Sequence, residues 1–149
     1  VYTRLSVIDA VAGEIRASAV PIVVDHFGGA QAALGVSQPG FETLVELVRS
    51  ARAYVKISAA YRSSTSGPDY ADVAPLARAL VSANPERILW GSDWPHPDSR
   101  QAAGRKPTDV APLLQIDDGR LLNQFAVWVP DAATRRQILV ENPRKLYAF

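Results

Sequence analysis

Hydrophobic and polar positions follow two different periods along this chain, and the alternation between them predicts helices and strands in turn. Helical periodicity of apolar residues extends over residues 8–17, 39–51 and 70–83. A short apolar, β-branched run of the kind found in buried strands follows each helix, at residues 20–27, 54–60 and 87–92. Strands joined by helical crossovers are parallel neighbours, so the pattern predicts an α/β fold with parallel strands and crossover helices.

The two later helices carry further local signals. In the second helix the apolar residues follow the spacing i, i+3, i+4 and i+7, with Pro39 suited to its first turn; they are Phe41, Leu44, Val45 and Val48. In the third helix Pro75 is tolerated only near the start, and Asn84 followed by Pro85 predicts its end.

After the third strand the pattern loosens. Residues 94–117 contain prolines, a glycine and charges without a clear period, which predicts a long loop over the active edge of the sheet. A helix is predicted from Asp118 onward, and Asp131 is placed to cap another that runs to about residue 140. A short terminal helix is expected to restart at Asn142.

Composition narrows the class of protein. The 149 residues fit one domain, which we expect to cover residues 1–149. Sixteen Lys and Arg against fifteen Asp and Glu give a net charge of +1 without long blocks of one sign, which favours neither nucleic acid nor a membrane surface as a partner. No apolar run reaches the ~18 residues of a membrane span, and the N-terminus lacks a signal-peptide pattern, so a cytoplasmic protein is expected.

Two residue types are absent. Without cysteine there is no disulfide, no thiolate catalysis and no Cys-ligated zinc. Without methionine the chain begins at Val1, which indicates a processed product, a fragment or an alternative start codon.

The segment at residues 88–97 is the most informative. Its apolar run stops at Asp93, and an aromatic residue, a proline and His96 follow. His26 likewise comes at the end of the first predicted strand, before two glycines. Active sites of parallel α/β folds lie at the carboxyl ends of the strands, so these side chains are candidates for a site.

Four motifs occur in one order with helix-length gaps: Asp25-His26-Phe27-Gly28, Val55-Lys56-Ile57-Ser58 with Arg62, Trp90-Gly91-Ser92-Asp93-Trp94-Pro95-His96-Pro97, and Asn142-Pro143-Arg144-Lys145-Leu146-Tyr147. Together they resemble the amidohydrolase superfamily, specifically the group that contains 2-pyrone-4,6-dicarboxylate lactonase and sugar lactonases. Members of that group are (β/α)8 barrels. The resemblance implies that this chain is the C-terminal half of a TIM-type barrel, with about four βα units.

In that scheme residues 1–3 are the end of strand 5, and Asp93 ends strand 8. The first half of such a barrel carries a His-x-His pair, whereas the histidines here are His26 and His96 alone. A half barrel would have two open sheet edges and an exposed apolar interior. We therefore expect a homo-oligomer, or completion of the barrel by another chain.

The resemblance also implies roles for side chains. Asp93 would be the general base that activates water, although a helix cap or loop anchor is the alternative. His26 would polarise the substrate carbonyl or ligate a metal, unless it is a buried histidine bonded to a backbone carbonyl. Substrate contacts are expected from Arg62, which suits a carboxylate, and from Tyr2. His96 would protonate the leaving group or contact the substrate. A solvated arginine, a turn histidine and a frayed terminus are the alternatives for these three.

One position departs from the pyrone-dicarboxylate pattern. There the glycine of the Asp-His-x-Gly motif is followed by an arginine that holds an acidic substrate, and this chain has Gly29 instead. One anion clamp is missing, which argues against the same diacid but leaves a lactone or related ester as the small-molecule substrate.

Metal use is not expected. His26 and Asp93 supply two possible ligands, whereas catalytic zinc sites usually take three from the protein, and the lactonase branch resembled here works without metal. The sequence thus predicts a lactonase-like hydrolase without cofactor, with zinc as a disfavoured addition. The alternatives are a non-catalytic truncated barrel that acts as a binding or assembly module, and a metal-dependent decarboxylase or amide hydrolase of the same superfamily.

Overall fold

A computed structural model of the protein describes residues 1–98, 104, 106 and 108–149. Three parallel strands form one sheet in sequence order; they are β1 (Ile22–Val24), β2 (Ala53–Ser58) and β3 (Ile88–Gly91). Val24 pairs with Val55, and Ser58 pairs with Gly91. The carboxyl ends of the strands therefore lie along one edge, which confirms the predicted α/β class.

The first residue continues the sheet beyond β1. The Val1 nitrogen donates a hydrogen bond to the Val23 carbonyl, and the Asp25 N–H donates to the Val1 carbonyl at 2.9 Å. This is the bonding of a parallel ladder. Residues 1–3 thus occupy the place expected for the end of a preceding strand.

Eight α-helices are defined in the described residues: α1 (Leu5–Ala10), α2 (Ala12–Ala17), α3 (Phe41–Arg49), α4 (Ala60–Ser63), α5 (Ala74–Ala83), α6 (Asp118–Trp128), α7 (Ala132–Arg136) and α8 (Asn142–Tyr147). The predicted stripe of α3 is buried, from Phe41 to Val48, and one apolar core joins α1, α3, α5 and α6 to the three strands. None of the helices in this part of the chain is long and apolar enough to cross a membrane.

Several predicted boundaries were wrong, for local reasons. Strand β1 ends at Val24 rather than at residue 27, because His26 and Phe27 have φ of 50° and 55° and leave the extended conformation. Helix α3 begins at Phe41, and the residue before it, Gly40, has a φ of 81°, which is outside the helical region. Pro39 therefore lies before the helix rather than in its first turn.

Two other helical segments also differ from the prediction. The helix expected over residues 8–17 is broken at Val11 into α1 and α2. In contrast, α7 and α8 are joined by a π-helical turn, Gln137–Glu141, instead of being separated. Pro143 lacks an N–H and crowds the preceding turn, and the wider π turn accommodates both effects.

The predicted loop over residues 94–117 lies partly outside the described residues, which exclude 99–103, 105 and 107. Its described parts contain no helix or strand, only an antiparallel bridge between Pro97 and Leu113. The Leu114 N–H also donates to the His96 carbonyl at 2.9 Å, so the two flanks of the loop run side by side.

Asn142, from the last sequence motif, holds α8 to the sheet. The residue is fully buried, and its Nδ2 donates to the carbonyls of Pro85 and Ile88, each at 2.7 Å. Its Oδ1 accepts from Gln137 Nε2 at 2.6 Å. The motif therefore has a structural role where the chain enters β3.

Replacing Asn142 by Ala is expected to lower the free energy of unfolding by about 2–4 kcal/mol, because two buried carbonyls lose their donor. Urea denaturation measures this change. The matched control is Asn123→Ala on the exposed face of α6, which should stay within ~0.5 kcal/mol of the parent. Equal losses in both variants would contradict a bonding role for Asn142.

Candidate active site

Four polar side chains converge at the carboxyl edge of the sheet. His26 follows β1, Asp93 follows β3, and α4, which begins two residues after β2, carries Tyr61 and Arg62. Strand ends of neighbouring parallel strands lie side by side, so residues far apart in sequence meet there. The structure therefore brings together three of the residues singled out from the sequence and adds Tyr61.

Asp93 is the centre of this cluster. Its Oδ2 accepts hydrogen bonds from Arg62 Nε at 2.7 Å and from the Tyr61 hydroxyl at 2.5 Å. Its Oδ1 lies 3.4 Å from His26 Nε2. The two carboxylate oxygens thus have different surroundings: Oδ2 is held by two donors, and Oδ1 faces the imidazole.

The charge of Asp93 is set by opposing effects. Burial alone would raise its pKa, but the hydrogen bonds from Tyr61 and Arg62 and the charges of His26 and Arg62 outweigh burial, so the pKa lies below the usual value for aspartate. Burial also raises the pKa of Tyr61 well above its usual value, and the hydrogen bond to Asp93 adds to that rise. Around neutral pH the cluster therefore contains a carboxylate and a neutral phenol.

His26 is held from both sides of its ring. Its Nδ1 lies 2.8 Å from the Ser58 hydroxyl on β2, and its Nε2 faces Asp93. Burial lowers the pKa of His26, and although Asp93 and Asp25 act in the opposite direction, the imidazole is neutral at pH 7. If Ser58 donates to Nδ1, the ring proton is on Nε2, the nitrogen that lies nearer to a carboxylate able only to accept.

The backbone around the cluster adopts an uncommon conformation. Positive φ occurs at eight non-glycine residues of the described chain, and five of them lie in the segments that follow the strands, with values between 50° and 69°: His26, Phe27, Ala59, Asp93 and His96. Such conformations cost of order 1–3 kcal/mol each and persist where the surrounding structure enforces them, as at many active sites. Three of these positions are proposed site residues, and Ala59 precedes α4.

His96 lies behind Asp93 rather than facing an open cavity. It is 4% exposed, its ring meets that of Tyr61 edge-on with centroids 5.7 Å apart, and its Nδ1 is 3.4 Å from the Tyr61 hydroxyl. Its Nε2 lies 3.1 Å from Asp118 Oδ1 at the start of α6. His96 is thus buried within the described residues, and its contact with substrate stays a prediction.

Arg62 and Tyr2 lie on the other side of the cluster. The Arg62 guanidinium lies 5.8 Å from the centroid of the Tyr2 ring, and it donates to the Pro97 carbonyl at 3.2 Å. Tyr2 packs edge-on against His26 with centroids 5.3 Å apart and stays 62% exposed. Both residues line a cavity of about 810 Å³ that also includes His26.

A second cavity, of about 480 Å³, opens on the interior face of the sheet. It is lined by Asp93, His26, Ser58 and Lys56, among others. Lys56 Nζ donates to Asp25 Oδ1 at 2.7 Å, so its charge is balanced within the cavity wall. His26 borders both cavities, which puts the cluster at the boundary between the two spaces.

The sequence analysis missed Tyr61 and gave Ser58 and Lys56 no role. Both strand residues stand in a quoted motif, and Tyr61 directly precedes Arg62. Strand alternation was the available signal: Lys56 and Ser58 are two residues apart and so project from one face of β2. No comparable signal marks Tyr61, since its contact with Asp93 spans 32 residues.

Most of the chain is similar in sequence to known proteins. The family model described as amidohydrolase matches residues 2–149, and the chain belongs to that family. It is 41% identical over 128 residues to a 4-sulfomuconolactone hydrolase of Hydrogenophaga intermedia, covering 86% of this chain and 39% of the relative. It is 34% identical to a 2-pyrone-4,6-dicarboxylate hydrolase of Comamonas testosteroni, with 85% and 40% covered.

Solved structures show the same partial match. An apo structure from Agrobacterium tumefaciens superposes with a TM-score of 0.74 at 30% identity, covering 99% of this chain and 49% of the other. The chain thus spans about two fifths of the curated relatives' length and half of the solved barrels. This confirms the predicted partial TIM-type barrel.

Metal binding is common in this superfamily. A Burkholderia multivorans amidohydrolase that was solved with zinc has the same fold. It superposes with a TM-score of 0.67 at 20% identity, covering 97% of this chain and 49% of the other. In this chain Asp93 is already paired with the Arg62 cation, and no group of three His, Cys, Asp or Glu gathers within the described residues. Catalytic zinc usually takes three protein ligands, so His26 and Asp93 do not fit such a site by themselves.

Proposed function

We propose that this chain is the C-terminal half of a lactone hydrolase, which opens a small anionic lactone or related cyclic ester. The observation that carries the proposal is Asp93, a half-buried carboxylate with one oxygen held by Tyr61 and Arg62 and the other facing a neutral His26. The two curated relatives described above, both named as hydrolases of cyclic esters, support the same reaction class.

Water activation is assigned to Asp93. A water near Oδ1 would lose a proton to the carboxylate as its oxygen attacks the ester carbonyl. The Nε2–H of His26 points toward the same space and would donate a hydrogen bond to the carbonyl oxygen, where negative charge develops. Collapse of the tetrahedral intermediate breaks the ring C–O bond, and the proton held by Asp93 is available to the departing oxygen.

Arg62 links substrate binding to the strength of the base. A base works best when its pKa is near the working pH, and the lowered pKa of Asp93 opposes that in the free chain. An anionic group of the substrate would compete with Asp93 for the Arg62 guanidinium. Binding of such a substrate would therefore raise the pKa of Asp93 and strengthen it as a base.

Completion of the barrel is part of the proposal. Within the described residues, only Val1 pairs with the outer side of β1, and no strand pairs with the outer side of β3. Large apolar side chains that line the interior cavity are exposed, including Trp94 at 76% and Tyr147 at 53%. We propose that a second copy or a further polypeptide covers this face.

Light scattering and a lactone panel test the proposal together. The purified chain is expected to elute as a dimer or larger assembly and to release acid from at least one anionic lactone, followed by pH-stat titration. A monodisperse monomer would contradict association between copies. An assembled species that binds lactones without opening any would favour the non-catalytic binding module instead.

A further inference from the structure

Behind Asp93 a row of three side chains continues from the site toward the surface. The Tyr61 hydroxyl lies 2.5 Å from Asp93 Oδ2 and 3.4 Å from His96 Nδ1, and His96 Nε2 lies 3.1 Å from Asp118 Oδ1. These residues come from α4, from the segment after β3 and from the start of α6. No sequence signal connects them, because each contact joins separate elements.

The inner atoms of this row are closed to solvent. His96 Nε2 and Asp118 Oδ1 are both buried and lie 3.1 Å apart, but neither forms an aligned hydrogen bond, with the other or with any further group, in the described part of the chain. Leaving a buried polar atom unpaired costs about 1–3 kcal/mol, so a small rotation that aligns a hydrogen bond between the two is favourable. In that bond the carboxylate can only accept, so the donated proton is on His96 Nε2.

The single proton of Tyr61 points to Asp93. The Tyr61 hydroxyl oxygen lies 2.5 Å from Asp93 Oδ2 but 3.4 Å from His96 Nδ1. The nearer acceptor is also the charged one, which makes its hydrogen bond stronger. The rings of Tyr61 and His96 meet edge-on, which limits rotation of the phenol. His96 therefore supports Tyr61 through ring packing rather than through the phenol proton, and Asp118 lies beside the far side of the His96 ring.

We propose that Tyr61 is a positioning residue for Asp93, and that His96 and Asp118 hold Tyr61 in place, so that Oδ2 is anchored and Oδ1 alone faces the substrate. This rests on the function proposed for Asp93. It assigns His96 to support of the base rather than to contact with substrate. Removing the phenol hydroxyl frees the carboxylate to rotate, and misplacement of a reacting group by ~1 Å can cost about 100-fold in rate.

Within the described residues, the charged and titratable groups that face Asp93 come from the segment after β1 and from α4. His26 faces it from the segment after β1, and Arg62 and Tyr61 face it from α4. Lys56 and Asp25 line the same cavity as a pair. Tyr61→Phe removes one hydrogen bond to Asp93 and leaves His26, Arg62, Lys56 and Asp25 in place.

The test is a carboxyl-carbon NMR titration of Asp93 in the full chain. Because the Tyr61 hydrogen bond lowers the pKa of Asp93, Tyr61→Phe is expected to raise that pKa. The matched control is Tyr54→Phe, which removes a hydroxyl bonded to Arg87 at the opposite end of β2 and should leave the Asp93 titration unchanged. An unchanged Asp93 titration in Tyr61→Phe would overturn the proposal.

A second variant tests the outer part of the row. In ¹⁵N-histidine-labelled chain, His96 is expected to show a protonated Nε2, and Asp118→Asn should shift its ring nitrogen signals. Asp117→Asn removes a neighbouring charge, keeps a residue able to cap α6, and should leave those signals in place. A protonated Nδ1 in the parent, or equal shifts in both variants, would contradict the assigned order.

Turnover gives a separate readout. In a preparation that opens lactones, Tyr61→Phe is expected to lower kcat by about 10- to 100-fold with KM changed much less, and to move the acid limb of the pH profile upward. A change in KM alone would overturn the positioning role. If the parent opens no lactone, the proposed hydrolase function fails, whereas the NMR titrations still decide whether Tyr61 anchors Asp93.

Discussion

The Asp93→Asn variant is expected to lose lactone turnover by about 10²–10⁴-fold, the usual contribution of a general base, with much less change in KM. An amide nitrogen cannot accept the proton of the attacking water. Arg62 keeps its hydrogen bond to the Pro97 carbonyl, so the anion-binding cation should stay near its place. Initial rates on the best lactone of the panel measure the effect.

The control for this variant is Asp131→Asn. Asp131 is the N-cap of α7, it accepts from the Thr134 N–H, and asparagine serves as well at such a position. It removes the same charge far from the cluster and should leave turnover unchanged. Turnover of Asp93→Asn within about threefold of the parent would remove Asp93 from the reaction.

The acid limb of the same assay follows from the direction of the Asp93 pKa. Because that pKa lies below the usual aspartate value, near 3.9, the free enzyme should keep its base ionised down to an unusually low pH. The contribution of Asp93 to the free energy of unfolding depends on pH in the same direction. The contribution of Asp93 is complete above its unfolded pKa and is lost as the pH falls through the lower folded value.

The second large effect is expected when the arginine of the pyrone-dicarboxylate pattern is restored. Gly29→Arg should destabilise the chain by about 2–5 kcal/mol and should not improve binding of a diacid. Gly29 has a φ of 74°, and a Cβ there would lie 2.7 Å from the Thr3 carbonyl oxygen and 3.3 Å from the Arg4 Cα. These are backbone atoms, so they cannot turn aside as a side chain would.

Two comparisons separate the causes. Gly29→Ala carries the same backbone strain and the same clash without the guanidinium, so it should lose most of the stability lost in Gly29→Arg. Gly13→Arg adds the same side chain in α2, where a Cβ meets no atom within 4 Å, and should be close to neutral. Thermal unfolding gives the stabilities. A stable Gly29→Arg chain with tighter diacid binding would contradict this reasoning.

The contacts of Gly29 and Asn142 could not be predicted from the sequence motifs. Both stand in or next to segments that carried the resemblance, but the sequence does not reveal that one packs against Thr3 and the other bonds to the entrance of β3. Gly29 lies against Thr3, and Asn142 bonds to Pro85 and Ile88. In both cases the neighbour is distant in the sequence. Local spacing contains no information about such partners.

The helix and strand boundaries also differ in how well the sequence predicts them. The stripe of α3 was predicted correctly because its spacing depends on one helix face alone. The end of β1 was misplaced because His26 and Phe27 read as strand residues, although the fold requires left-handed backbone there to turn His26 toward Ser58 and Asp93. Tertiary contacts overrode local preference at the site itself.

The sequence by itself determined the order of helices and parallel strands, and with it the edge at which Asp93, His26 and Arg62 lie, because periodicity and strand ends are local properties. Only the tertiary structure decided which oxygen of Asp93 is held, that Tyr61 is one of its donors, and that His96 stands behind it. Those facts follow from strand register and helix packing, which bring together side chains more than 30 residues apart.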